Sequence, residues 1–67
     1  MNIIVTVDDE RMATIAKVAD DLRAAGMNVV DVMKNIGIIA GSADDLTPLR
    51  AVEGVLAVEQ DKEMFLS

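Results

Sequence analysis

The middle of the chain reads NVVDVMKNIGIIA, residues 28–40, and the fold prediction starts from this segment. It contains two runs rich in β-branched residues, Asn28 to Lys34 and Ile36 to Ala40, and such residues favour strands. Only Asn35 and its neighbours connect the two runs, and either Asn35 or Gly37 can take the positive φ angle of a tight turn. The stretch therefore predicts an antiparallel hairpin in the middle of the chain.

On the N-terminal side of this hairpin, the sequence predicts a strand followed by a helix. Asn2 to Val7 is a β-branched run with Ile4 on the face opposite its other apolar residues, which is typical of a central strand. Residues 8–10 are acidic and can accept hydrogen bonds from the N–H groups of a helix start. Gly26 is predicted to end the helix. The predicted inward-facing stripe is Met12, Ile15, Ala16, Ala19 and Leu22.

On the C-terminal side, residues 41–55 predict a second, shorter helix. Pro48 lacks an N–H group and is therefore restricted to a first helical turn, so the helix is expected to start near Asp45 or Thr47. Gly54 then ends the helix, and the last strand runs from Val55 to Val58. The residues expected to point inward are Leu46, Leu49 and Val52.

The resulting order of elements, βαββαβ, predicts an α+β protein with the ferredoxin-like sandwich fold. In this fold a four-stranded antiparallel sheet carries two helices on one face, and its other face is open. The first and last strands are neighbours, and we expect Val55 to Val58 to be a central strand. No linker divides the chain, so residues 1–67 are predicted to form a single domain.

Composition limits the possible partners and the stability. Twelve acidic and six basic residues give a net charge of −6, which opposes binding to a phosphate backbone and predicts no nucleic-acid partner. The acid excess either favours a basic or neutral partner or serves solubility. Without Cys, aliphatic packing must supply a stability of only about 3 to 5 kcal/mol. A start without a basic segment or a long apolar stretch predicts a cytoplasmic protein without a membrane partner.

The chain has few residues that could support catalysis. It contains no His, Cys or Tyr, so we expect no enzymatic activity, no catalytic residues and no cofactor. Two acidic clusters, residues 8–10 and 44–45, could hold a hard cation, but both precede predicted helices and are better explained by capping, so no metal is expected. Heavy-metal-binding domains of this topology need a Cys pair, and single-strand RNA readers need sheet aromatics. The sequence has neither feature.

The passage VADDLRAAGMNVVDV, residues 18–32, resembles the corresponding part of ACT domains. These are small ligand-sensing modules of the same topology that bind amino acids at dimer interfaces, usually with a Gly in the loop after the first strand. Here that loop reads DDER, residues 8–11, and lacks the Gly. The resemblance implies small-molecule sensing or homodimerisation as one alternative.

The passage LRAVEGVLAVEQD, residues 49–61, resembles the closing segment of subtilisin propeptides and related free-standing peptidase inhibitors. In that family a short helix and a turn residue lead into a strand that ends in a V-E-x-D motif. Val58, Glu59 and Asp61 occupy the V, E and D positions. The order of the other elements agrees over nearly the whole chain, while the sequence-specific part of the resemblance is confined to this closing segment.

This resemblance implies inhibition or folding assistance of a subtilisin-like serine protease. The open sheet face would pack on two parallel protease helices, with Glu59 and Asp61 capping their N-termini. The tail would extend along the substrate cleft by β-strand addition, where Met64, Phe65 and Leu66 offer apolar contacts. The implied partner-binding residues are Glu59, Asp61, Lys62, Glu63, Met64, Phe65, Leu66 and Ser67.

The same residues allow a simpler interpretation. Phe65 and Leu66 could fold back on the open sheet face or mediate a homodimer, and Glu59 and Asp61 could be ordinary solvated charges at a strand end. A fold of this kind does not by itself imply a protease target.

Overall fold

The structure, a computed structural model, describes residues 1–60. The described part follows the predicted order of elements, with the first helix preceded by a short 3₁₀ helix. The elements are β1 (Asn2–Val7), the 3₁₀ helix (Asp9–Thr14), α1 (Ile15–Ala24), β2 (Asn28–Met33), β3 (Ile38–Ser42), α2 (Thr47–Arg50) and β4 (Val55–Gln60).

The four strands form one antiparallel sheet in the order β2-β3-β1-β4, which is the ferredoxin-like arrangement that the sequence predicted. β1 is central, as expected, and it pairs with β4. The prediction that Val55 to Val58 form a central strand is wrong, because β4 pairs only with β1 and lies at the sheet edge. The physical reason is that the connection through α2 carries the chain across β1, so β4 joins the far side of that strand.

The central hairpin is antiparallel, but its turn is longer than predicted. Met33 ends β2 and Ile38 begins β3, so residues 34–37 form the turn. Gly37 has a φ of 68°, whereas Asn35 does not have a positive φ. The Gly37 carbonyl accepts a hydrogen bond of 2.8 Å from the N–H of Val7. Ile36, which we expected in the strand, lies in the turn with 64% of its surface exposed, because the left-handed conformation of Gly37 interrupts the extended chain.

The first helical segment starts at the acidic residues 8–10, as the sequence predicted. The Asp8 carboxylate accepts a hydrogen bond of 2.9 Å from the N–H of Glu10, and Gly26 ends α1 with a φ of 108°. The inward stripe differs in two of its five positions, since Ala16 is exposed and Met12 is only partly buried, whereas Val18 is buried instead. Met12 lies in the 3₁₀ helix, which has about 3.0 residues per turn against 3.6 in an α-helix and so breaks the predicted periodicity. Ala16 points about 100° away from Ile15 around α1, outside its buried side.

The second helix is a single turn with a specific start. The N-cap residue is Leu46, whose side chain makes no capping hydrogen bond, and not Asp45 or Thr47 as predicted. The Asp45 carboxylate nevertheless accepts a hydrogen bond of 3.0 Å from the N–H of Thr47, the first residue of the helix. Leu49 is fully buried, while Leu46 and Val52 are partly buried and pack against the core, as expected. The turn at Gly54 has a φ of 93° and leads directly into β4.

The core lies between the helices and one face of the sheet and contains no buried polar residue within the part of the chain described. One row of cross-strand partners on this face runs through all four strands: Val32, Ile39, Val5 and Val58. No helix within residues 1–60 is long and apolar enough to cross a membrane. Both helices bury their apolar sides against this one face, which leaves the other face of the sheet uncovered, as predicted.

Candidate functional site

The uncovered side of the sheet, here called the open face, consists of three rows of cross-strand partners. Residues that pair directly across antiparallel strands lie on the same face, so the strand pairings define each row. The first row is Met33, Ile38, Thr6 and Ala57; the second is Asp31, Ala40, Ile4 and Glu59; the third is Asn28, Ser42 and Asn2. The centre of the face is therefore apolar apart from the Thr6 hydroxyl, and its other polar groups lie at one end and at the two edges.

The second row places one carboxylate at each edge of the sheet. Asp31 pairs with Ala40, Ala40 pairs with Ile4, and Ile4 pairs with Glu59. Both acids are exposed, and both lie on edge strands. Three strand spacings separate them, which corresponds to about 14 Å. The open face is thus an apolar strip with a negative charge on either side.

Two strand irregularities enlarge the apolar area near the edges. The pairing of β2 shifts register between Val29 and Asp31, and the extra residue, Val30, has 72% of its surface exposed. Val30 lines a shallow depression of about 190 Å³ together with Ile4 and Ala40. On β4 the register shift leaves Leu56 unpaired and 66% exposed. Large exposed apolar side chains beside an uncovered sheet face are typical of an interaction surface.

Positive charge is confined to other parts of the described chain. None of the four strands contains Lys or Arg. Three cations form ion pairs on the helices or the turn beside them: Arg11 with Glu53, Lys17 with Asp21, and Arg23 with Asp20.

The two remaining Lys and Arg side chains of the described part also lie off the strands. Lys34 lies in the hairpin turn, and Arg50 comes from α2 and lines a groove beside β4. Within residues 1–60, neither Asp31 nor Glu59 forms an ion pair. Among the described residues, no cation therefore lies within ion-pair distance of either carboxylate, although Arg50 and Glu59 line the same groove.

The residues predicted to contact a partner are only partly covered by the structure. Glu59 lies on the open face near the end of β4. Asp61, Lys62, Glu63, Met64, Phe65, Leu66 and Ser67 lie outside the described residues.

Sequence reasoning missed Asp31, although it lies opposite Glu59 on the same face. The signal was present in the break of strict alternation in NVVDVM, residues 28–33, but its meaning depends on the bulge at Val30. Without the bulge, the period of two would place Asp31 on the same face as Val29, which packs against the core.

The two acidic clusters that could have held a cation are used, at least in part, for hydrogen bonds at helix starts. Asp8 accepts from the N–H of Glu10, and Asp45 accepts from the N–H of Thr47. Among residues 1–60 there is no group of three or more metal-ligating side chains close enough to hold an ion. The capping interpretation of the sequence is confirmed for Asp8, whereas Asp45 bonds to the first residue of α2 without being its N-cap.

Comparison with family models, with curated proteins and with solved structures found no match for this chain. The functions implied by the resemblances to subtilisin propeptides and to ACT domains therefore remain predictions from the sequence. Within the described structure, the open face is the candidate binding surface.

Proposed function

We propose that the chain is a protein-binding module that inhibits a subtilisin-like serine protease or assists its folding. The observation that carries this proposal is the position of Glu59, which lies on the uncovered apolar face, at the sheet edge, next to the end of the last described strand. The proposed mode of binding needs these three properties together. The open face packs on a pair of protease helices, and Glu59 accepts hydrogen bonds from the N–H groups at a helix start.

The physical basis of this contact is the charge at a helix N-terminus. The first N–H groups of a helix have no partner within the helix and carry a partial positive charge. A carboxylate placed against them forms charge-assisted hydrogen bonds worth about 1.5–3 kcal/mol. Glu59 has no cationic partner among the described residues, so binding breaks no ion pair within residues 1–60.

The residues after β4 provide the second half of the proposed contact. Seven residues, 61–67, follow Gln60, and an extended chain of that length spans about 23 Å. In the proposed complex this segment adds as a strand to the substrate cleft, so that main-chain hydrogen bonds give affinity and alternate side chains give specificity. Met64, Phe65 and Leu66 then contact the subsites next to the catalytic centre.

The experiment that tests the proposal is an inhibition assay with a subtilisin-type protease and a chromogenic peptide substrate. The full-length protein is expected to slow hydrolysis, and a version ending at Asp61 is expected to lose most of this effect. Thermal unfolding of both versions serves as the control for folding. Cleavage of the full-length protein without any slowing of substrate hydrolysis would contradict the proposal for this class of enzyme.

A matched pair of substitutions tests the role of Glu59 itself. Glu59→Gln removes the charge but keeps the size of the side chain, and it is expected to weaken inhibition by about 10- to 100-fold. Glu10→Gln makes the same chemical change at an exposed position in the 3₁₀ helix and is expected to leave inhibition unchanged. Equal inhibition constants for the two variants would show that Glu59 does not take part.

Two further measurements separate the alternatives. A rise in melting temperature with one of the common amino acids would favour ACT-like sensing, because a ligand that binds only the folded state stabilises it. A defined dimer in sedimentation at micromolar concentration, without protease inhibition, would favour a homodimerisation module. The lack of enzymatic activity and the cytoplasmic location stay predictions from composition.

A further inference from the structure

We infer that the open face accepts an amphipathic helix that carries basic side chains on both flanks of its apolar stripe, with Asp31 and Glu59 as the two contacts for these charges. The inference takes from the proposed function only the assumption that the open face is a binding surface. What it adds is the second carboxylate, Asp31, and the chemistry of the partner.

The separation of the two carboxylates fits one helix with charges on both flanks, in place of the pair of helices in the proposed protease complex. Asp31 and Glu59 end the same cross-strand row, and about 14 Å separates their strands. A helix with its side chains is about 10–12 Å across, so one helix over β3 and β1 fits between the carboxylates. The stems of Lys or Arg on its two flanks can then lie along the sheet while their charged ends reach the edges.

The side chains beneath that helix allow a close approach. The middle positions of the first two rows are Ile38, Thr6, Ala40 and Ile4, all partly buried. Two of them, Thr6 on β1 and Ala40 on β3, are short and lie diagonally to each other, so neither row has two bulky side chains next to each other at its centre. The three rows extend over about 14 Å, which corresponds to roughly two and a half turns of helix.

A second copy of this chain is a less favourable partner for the open face than a basic helix, because of the charges on the face and its small area. Two open faces packed together would bring two Asp31 and two Glu59 carboxylates into one interface, and no strand supplies a cation to compensate them. The face is about 19 Å wide across the four strands and about 20 Å long along them, if half a strand or residue spacing is added at each border. Its area is then roughly 400 Å². This is about half of the 800 Å² that each partner contributes to a typical stable interface.

The test uses two synthetic helical peptides of 18 residues with the same Leu/Ala stripe. One peptide carries Lys on both flanks, and in the other the Lys residues on one flank are replaced by Gln. Binding to the full-length protein is followed by methyl NMR, because the protein has no Trp or Tyr. The reporting methyl groups are those of Ile4, Ile38, Ala40 and Ala57, with buried Ile15 as the internal control.

The peptide with two basic flanks is expected to bind more tightly than the other and to shift the open-face methyl signals. Asp31→Asn and Glu59→Gln are each expected to weaken its binding about two- to fivefold, as for partly solvated ion pairs. Asp44→Asn removes an equal charge from an exposed loop residue and should not change the affinity. Raising the salt concentration should weaken binding to the wild type more than to the doubly substituted protein.

The outcomes separate this inference from the proposed function. Equal binding of the two peptides, no binding of either, or equal effects of Asp31→Asn and Asp44→Asn would overturn the inference, whatever the protease assay shows. Concentration-dependent shifts of the same methyl signals without peptide would assign the open face to a second copy and also overturn it. Peptide binding as expected, without protease inhibition, would reject only the proposed function.

Discussion

Gly41 provides the sharpest test of the sheet geometry on which the open face depends. It lies in β3 between Ile3 and Val29, and its backbone passes very close to the preceding strand. A Cβ atom at this position would lie 2.9 Å from the terminal methyl carbon of Met27 and 3.0 Å from the carbonyl carbon of Asn28, with the Asn28 carbonyl oxygen closer still. The Met27 side chain can move, but the Asn28 backbone is part of β2. Gly41→Ala therefore requires β2 and β3 to separate.

The size of the effect follows from this contact. Adding a methyl group to a tightly packed site costs about 1–3 kcal/mol, and a clash with strand backbone belongs at the upper end of this range. In a domain of this size, 1 kcal/mol shifts the melting temperature by about 4–8 °C, so a cost of about 3 kcal/mol lowers it by about 12–24 °C. Because the whole stability is expected to be only about 3–5 kcal/mol, the variant should be close to unfolding at room temperature.

The assay is thermal unfolding followed by far-ultraviolet circular dichroism, with Gly26→Ala as the control. Gly26 has a positive φ of 108°, but a Cβ atom there would meet nothing within 4 Å. Gly26→Ala therefore lowers the free energy of unfolding only through backbone strain, about 1–2 kcal/mol. The lower conformational entropy of the unfolded variant chain partly offsets this loss. A Gly41→Ala protein that melts within about 4 °C of the wild type, or above Gly26→Ala, would refute the β2–β3 register and with it the position of Asp31.

Two further pairs of substitutions test the helices by the same unfolding assay. Ala16→Glu is expected to change the free energy of unfolding by less than about 0.5 kcal/mol because Ala16 is exposed. Val18→Ala should cost about 2 kcal/mol because Val18 is buried. If Ala16→Glu were the more destabilising change, Ala16 would face the core, as the sequence predicted. Asp45→Ala removes the acceptor for the Thr47 N–H and should cost about 1 kcal/mol, while Asp44→Ala should not; equal melting temperatures would show that this hydrogen bond contributes nothing.

Local signals in the sequence predicted most of the fold. The hairpin around residues 28–40, the cap at Asp8 and the helix end at Gly26 each depend on neighbours within a few positions, and they are confirmed except that Lys34 and Ile36 lie in the hairpin turn. The errors have two sources. Ala16 is exposed because the buried side of α1 is centred on Ile15, Val18, Ala19 and Leu22, and β4 is an edge strand because of the path taken across β1.

Of the two carboxylates of the candidate site, one could be predicted from the sequence and the other could not. Glu59 was found from the sequence because it stands in a short motif that resembles a known family, and the prediction of its partner still waits for the inhibition assay. Asp31 could not be found in this way, because its face is set by the bulge at Val30. A single extra residue in a strand reverses the side to which the following side chains point, and alternation alone does not show where that residue is.

Periodicity, turn residues and capping groups act over short distances, and from them the sequence alone predicts a βα unit before the central hairpin and an αβ unit after it. Which side chains share the open face follows from the tertiary structure. That depends on the register between strands far apart in the chain, such as Ile4 with Ala40 and Glu59, and on the bulge that brings Asp31 into the same row. Register is a property of paired strands, and the hydrophobic pattern of one strand alone does not specify it.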